Sequence, residues 1–151
     1  AGDPGYDASV PHGLIAAIED QSLGIVWISR GSTQSTSVLG GTGTALGTGS
    51  SNTDNIIAQA VAAGNNTLTS YAAGLARAHN GGGYNDWYLP SKDELNKLYL
   101  NRVAIGGFAT AYYWSSSETN AGDAWFQYFS SGDQGYDFKY YTLRVRAVRA
   151  F

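Results

Sequence analysis

Hydrophobic and polar positions first fall into a pattern in two short runs, His12-Gly13-Leu14-Ile15-Ala16-Ala17-Ile18 and Gly24-Ile25-Val26-Trp27-Ile28, each bounded by glycine and polar residues. Runs this short, with β-branched and aromatic content, predict strands. Residues 29–53 are almost entirely Gly, Ser, Thr, Ala and Leu and carry no period, which predicts a long loop packed on the surface. Within it, Gly41-Thr42-Gly43-Thr44-Ala45-Leu46-Gly47-Thr48-Gly49 resembles a phosphate loop only in its glycines. It has no Lys followed by Ser or Thr, so it does not support a nucleotide site. Helical spacing begins with Ile56, Ile57, Ala60 and Val61, a stripe that Ser51 or Thr53 can cap and Gly64 ends. A second helix is expected from about Ser70, with Tyr71, Leu75 and Ala78 inward, stopping at Asn80-Gly81-Gly82-Gly83. The third has the clearest local signal. Ser91 is an N-cap after Pro90, Glu94 completes a capping box, and Leu95, Leu98 and Tyr99 recur at i, i+3 and i+4. From residue 112 the pattern turns to strand, over 112–115, 124–129, 136–141 and 143–148, with a turn cluster at 130–135. Helices in the middle and an aromatic, strand-rich C-terminal half predict an α+β domain of about three helices and a C-terminal antiparallel sheet.

Length and composition narrow the function. The 151 residues make one ordinary domain. The absence of cysteine excludes disulfides, thiolate catalysis and Cys-based metal sites, and with only His12 and His79 a His-rich metal centre is excluded too. No run of 18 apolar residues is present to span a membrane. Charged residues make up only 14%, against 20 Gly, 11 Tyr and 4 Trp, a balance that suits a loop-rich extracellular domain. The net charge of −3 divides unevenly, with −4 over residues 1–76 and +1 over residues 77–151. A nucleic-acid binder would be basic overall, so nucleic acid is not expected as a partner, although a local basic patch for a polyanion stays open. With no Met and no signal-peptide pattern, the chain is expected to be a fragment or processed product. Residues 1–7 contain Gly2-Asp3-Pro4 and Gly5-Tyr6-Asp7, which read either as two G-X-Y triplets ending a collagen-like stalk or as plain turns.

Four motifs occur in order: His12-Gly13-Leu14-Ile15-Ala16-Ala17; Asp86-Trp87-Tyr88-Leu89-Pro90-Ser91-Lys92-Asp93-Glu94-Leu95; Tyr113-Trp114-Ser115-Ser116-Ser117-Glu118; and Val145-Arg146-Ala147-Val148-Arg149. Together they resemble the bacterial domain family catalogued as DUF1566 or Lcl_C, the C-terminal domain of the Legionella collagen-like adhesin. The resemblance implies a fold related to C-type lectins over residues 8–151, a secreted or cell-surface setting, and recognition of sulfated glycosaminoglycans. It also implies a collagen-like stalk and hence a homotrimer. It does not carry over lectin calcium chemistry. Asn85-Asp86-Trp87 lacks a nearby Glu-Pro-Asn, so Asp86 is expected to brace the turn before Leu89-Pro90 and Trp87 to be core. The formylglycine-generating oxidases of the same fold class depend on cysteines, which this chain lacks.

A sulfated glycan needs Lys or Arg for its sulfates and exposed rings for its sugar faces. The candidate contacts are Arg77, Lys92, Lys97, Arg102, Lys139, Arg144, Tyr136 and Tyr140. Lys92, Lys97 and Arg102 lie on or just past the third helix, away from its apolar face. Arg146 and Arg149 are expected to be structural, braced by carboxylates such as Glu118 or Asp123. Trp114 and Trp125 are expected in the core. Asp123, Asp133 and Asp137 match no known Ca²⁺ loop, and neither metal nor cofactor is expected. Catalysis is not expected either, because no histidine lies near the hydroxyls and carboxylate of Ser115-Ser116-Ser117-Glu118 and a helix-end His79 is explained by the helix dipole. The alternatives are a non-adhesive module for protein or neutral glycan and, behind it, a hydrolase.

Overall fold

The computed structural model describes residues 13–28 and 32–151; His12, Arg30 and the triplets of residues 1–7 lie outside them. The protein is α+β. Strands β1 (Leu14–Ala16) and β2 (Ser22–Val26) precede helices α1 (Gly49–Ala62), α2 (Ala72–Ala78), α3 (Lys92–Leu100) and α4 (Arg102–Ile105). Strands β3 (Tyr112–Glu118), β4 (Asp123–Tyr128), β5 (Gln134–Phe138), β6 (Thr142–Val145) and β7 (Val148–Ala150) follow. One sheet has the order β2-β6-β3-β4-β5, and the second pairs β1 with β7.

Three expectations about the elements are corrected. The large sheet is mixed, because β6 runs parallel to β3 and carries β2 on its other side. The single strand expected over 143–148 is two strands in different sheets. The break falls at Arg146, which is buried and donates to the Ala17 and Gly107 carbonyls, leaving β7 free to pair with β1. A fourth helix, α4, follows α3 almost directly.

Helix α3 buries Leu95 and Leu98 as expected, whereas α1 and α2 bury polar and small residues beside the apolar ones expected and leave Val61 and Ala78 outside. Helix α1 starts at Gly49, so Thr53 is interior rather than a cap. Its buried hydroxyl donates to the Gly49 carbonyl and accepts from the Leu89 amide. Its buried residues include Asn52, Thr53, Ile56, Gln59 and Ala60, while Val61 is exposed. In α2 the inward residues are Ala72, Ala73 and Ala76, with Tyr71 buried ahead of them and Ala78 outside. The polar face of α1 serves the preceding loop: Asn52 Oδ1 accepts from the Gly43 amide and Gln59 Oε1 from the Leu39 amide. A loop lacking strand partners thus has its buried backbone satisfied by side chains, as burial demands.

One apolar cluster gathers Trp27, Ile28, Ile56, Leu89, Trp114 and Val145 with the alanines of α1 and α2. A second, under α3, holds Tyr88, Leu95, Leu98, Tyr113, Phe129 and Val148. Buried Glu94 joins α3 to the glycine loop. Its carboxylate accepts from the Ser91 amide at 2.8 Å, completing the capping box, and from the Gly47 amide at 2.9 Å. Burial raises its pKa against the lowering effect of these hydrogen bonds. A folded-state pKa above the ordinary 4.5 means that the folded chain holds this proton more tightly than the unfolded one. The corresponding stability is present below that value and is lost as pH rises through the folded pKa. Urea unfolding at about pH 5 and about pH 8 should therefore show a loss of stability toward the higher pH that is smaller in Glu94→Gln. Glu94→Ala should cost about 2–4 kcal/mol at either pH by stranding two amides.

Candidate functional site

The protein's cations divide by whether a carboxylate holds them. Arg77 of α2 pairs with Asp54 of α1 at 2.6 Å. Lys139, expected beside a ligand, is fully buried. Its ammonium donates to Glu118 at 2.7 Å and to the carbonyls of Thr36 and Ala121, and it lies 4.9 Å from the Trp27 ring centroid. Burial pushes its pKa down while Glu118 opposes the shift. The expectation of a surface contact is corrected here: no donor position of Lys139 is left for a ligand. Arg144 pairs with Asp20 at 2.9 Å, and the same carboxylate holds Arg146. Arg149 lies over Tyr84 and grips Asp86 with two bonds of 2.7 and 2.8 Å, and this hydrogen bonding holds the Asp86 carboxyl below its usual range. Arg146 and Arg149 are thus structural, but their partners are Asp20 and Asp86 rather than Glu118 or Asp123. Trp87 is core, as expected.

Three of the eight described Lys and Arg, namely Lys92, Lys97 and Arg102, have no ion pair with a described residue. All three lie on α3 or at the start of α4. Because α3 buries Glu94, Leu95 and Leu98, its remaining faces are left for these cations. Lys92 and Asn96 run along β4 and β5. The Lys92 ammonium sits 4.1 Å from the Trp125 ring centroid, and its carbonyl accepts from Gln134. Asn96 accepts from Gln127 at 2.9 Å. Further along, the Arg102 guanidinium stacks on Tyr99 at 3.9 Å and donates to its carbonyl. Tyr99 packs beneath the β4–β5 turn, where Gly132 has φ +89° and leaves no room for a Cβ against the ring. Lys97 is exposed on the solvent side, with Asp93 one turn before it.

Aromatic residues continue this surface. Trp125, expected in the core, is only half-buried, because alternation along β4 turns it toward α3 while Ala124 faces the interior. Tyr136 meets its edge at 5.9 Å and is 60% exposed. Tyr140 is 50% exposed and stacks on Phe138 at 5.1 Å, with Tyr141 against both. Sequence reasoning missed Trp125 and Phe138 as surface rings, while Tyr99 packs against the cluster under α3 as expected. The period of two across Tyr136 and Phe138 is the signal that would have found Phe138.

Among the described residues no group of three His, Cys, Asp or Glu is placed to hold a metal ion. Asp123 and Asp133 instead meet the local turn partners Asn120 and Ser131. No helix of the described residues is long and apolar enough to cross a membrane.

What emerges is an α+β domain in which the described cations without an ion pair, Lys92, Lys97 and Arg102, lie on α3 and at the start of α4 beside exposed rings. Residues 16–149 match the family model of the Lcl C-terminal domain, and the chain belongs to that family. Membership associates it with the C-terminal domains of collagen-like adhesins. No curated protein matches the chain.

Replacing Lys139 by Ala strands the Glu118 carboxylate, which also accepts from the Val38 amide. Chemical denaturation should register a loss of about 3–5 kcal/mol. Affinity for a sulfated polymer, measured on the folded variant, should stay unchanged.

Proposed function

We propose that this domain is the binding head of a secreted or surface-attached adhesin and recognises sulfated glycosaminoglycans along the exposed flank of α3. The observation that carries this reading is the concentration of Lys92, Lys97 and Arg102, the cations without a carboxylate partner among the described residues, on α3 and the first residue of α4. Sulfates would pair with these three groups, and Trp125 and Tyr136 offer ring surface alongside. Recognition would then work in a mildly acidic protein because the remaining described cations are neutralised at short range. We read the domain as C-type-lectin-like, a reading supported by the antiparallel pairing of its first and last strands. We also read it as a homotrimer, in which three weak surfaces on one stalk give avidity; light scattering on the purified chain tests this.

Binding rather than catalysis is supported by the state of the serine run. Ser115 donates to the Trp125 carbonyl, Ser116 accepts from Asn52 and Ser117 donates to the Gly43 carbonyl, all three buried. A neutral glycan is the second reading, favoured by the exposed Phe138, Tyr140 and Tyr141 cluster.

Heparin chromatography separates the two readings. Elution should move to markedly lower salt in Lys92→Ala combined with Lys97→Ala and Arg102→Ala, with affinity down roughly tenfold or more, while Arg77→Ala stays within about twofold of the parent. Retention insensitive to salt and to the triple substitution would remove the α3 flank from the site.

A further inference from the structure

At the C-terminal end of α2, away from the α3 flank, lies an open cleft of about 300 Å³. Leu75 and Ala78 supply its apolar surface. Glu19, Thr69, His79 and Asn80 supply polar groups. Two further wall residues, Asp20 and Gln21, are fully engaged. Asp20 accepts from Tyr113, Arg144 and Arg146, and Gln21 bonds the Ala147 amide and the Glu19 carbonyl. By contrast, the side chains of Glu19, Thr69, His79 and Asn80 make no hydrogen bond or ion pair with a described residue. His79 is nevertheless fixed in place. Its ring meets the edge of Trp87 at 4.8 Å, and a Cβ at Gly81 would collide with it.

We propose that this cleft binds one neutral sugar residue, a site independent of the α3 surface. Its volume lies at the small end of the roughly 300–1,000 Å³ range of ligand pockets. Its polar groups are mixed in kind: a carboxylate that only accepts, a hydroxyl and an amide that both donate and accept, and an imidazole. Vicinal sugar hydroxyls, each donor and acceptor at once, match such a set, and the C–H face of the ring fits Leu75 and Ala78. Charge argues against the other classes. The two carboxylates Glu19 and Asp20 stand against the two guanidiniums on Asp20, so no net field selects an ion. An anion would meet the open Glu19 carboxylate, and a cation would find only that one group.

The test is an NMR titration of the isotopically labelled chain with the methyl glycosides of galactose, mannose and N-acetylglucosamine at millimolar concentrations. At least one should shift the Leu75, His79 and Asn80 signals saturably. Glu19→Ala and Asn80→Ala, both at exposed positions, should each weaken that binding about tenfold while leaving the circular dichroism unchanged. The triple substitution of Lys92, Lys97 and Arg102 should leave it intact, so failure of the α3 reading and failure of this one are distinguishable. No shift with any of the three glycosides, or a shift that saturates equally in both cleft variants, overturns the proposal.

Discussion

Much of this architecture depends on one carboxylate. Asp20 accepts from Arg144 at 2.9 Å, from Arg146 at 2.8 Å and from the Tyr113 hydroxyl at 2.8 Å. Through these bonds the link between β1 and β2 is tied to β6, to β3 and to the turn into β7. A buried guanidinium cannot be left without a counter-charge, and removing one partner of such a pair is far more costly than never having made it. Once Arg146 lies inside, with its other donors on Ala17 and Gly107, the strand that contains it cannot run straight on in the large sheet. It changes sheets at Arg146-Ala147, and the two ends of the domain meet. The ion pair is therefore better understood as setting the topology than as adding net stability.

The same constraint, applied to the described cations, bears on what the surface can do. Charged residues are scarce in this sequence, and carboxylates hold Arg77, Lys139, Arg144, Arg146 and Arg149. Polar side chains inside the fold serve a parallel purpose for backbone. Asn52, Gln59, Glu94 and Glu118 accept from amides of the glycine-rich loop, which has no strand neighbour to do so. Several carboxylates are thus taken up by internal need, and the cations of α3 keep no ion pair because Glu94 is engaged by amides and Asp93, one turn before Lys97, forms no ion pair with a described residue.

Local features were legible in the sequence and long-range ones were not. The capping box of Ser91 and Glu94, the inward Leu95 and Leu98 and the exposure of Tyr136 and Tyr140 follow from spacing of a few residues. The start of α1 was misjudged because Thr53 has the chemistry of a cap but uses its hydroxyl inside the helix to receive Leu89. Lys139 was misjudged because its aromatic neighbours suggested a surface, whereas its partner Glu118 lies 21 positions back. Asp20 lies 126 positions from Arg146. No local pattern announces a pairing at that separation, so a sequence reading can say that a buried arginine needs a carboxylate without saying which one.

The four motifs that carry the family resemblance pack against one another. The Tyr88 and Val148 backbones bond reciprocally at 2.8 and 2.9 Å, the Ser116 amide donates to the Pro90 carbonyl, and the Lys92 amide donates to the Ser117 hydroxyl. In β1, Ile15 is opposite Arg149 and Ala16 opposite Val148 of β7. These residues build the frame, and a match through them identifies that frame. Lys97, Arg102, Trp125 and Tyr136 lie outside the motifs, as do Glu19, Thr69, His79 and Asn80 around the cleft. Lys92 is the exception, since it lies in the second motif and its amide makes one of the frame's bonds; side-chain chemistry at the other positions can change without touching those bonds. On the proposed readings, ligand preference would be argued from the α3 flank and the α2 cleft, since the frame constrains only where those surfaces stand.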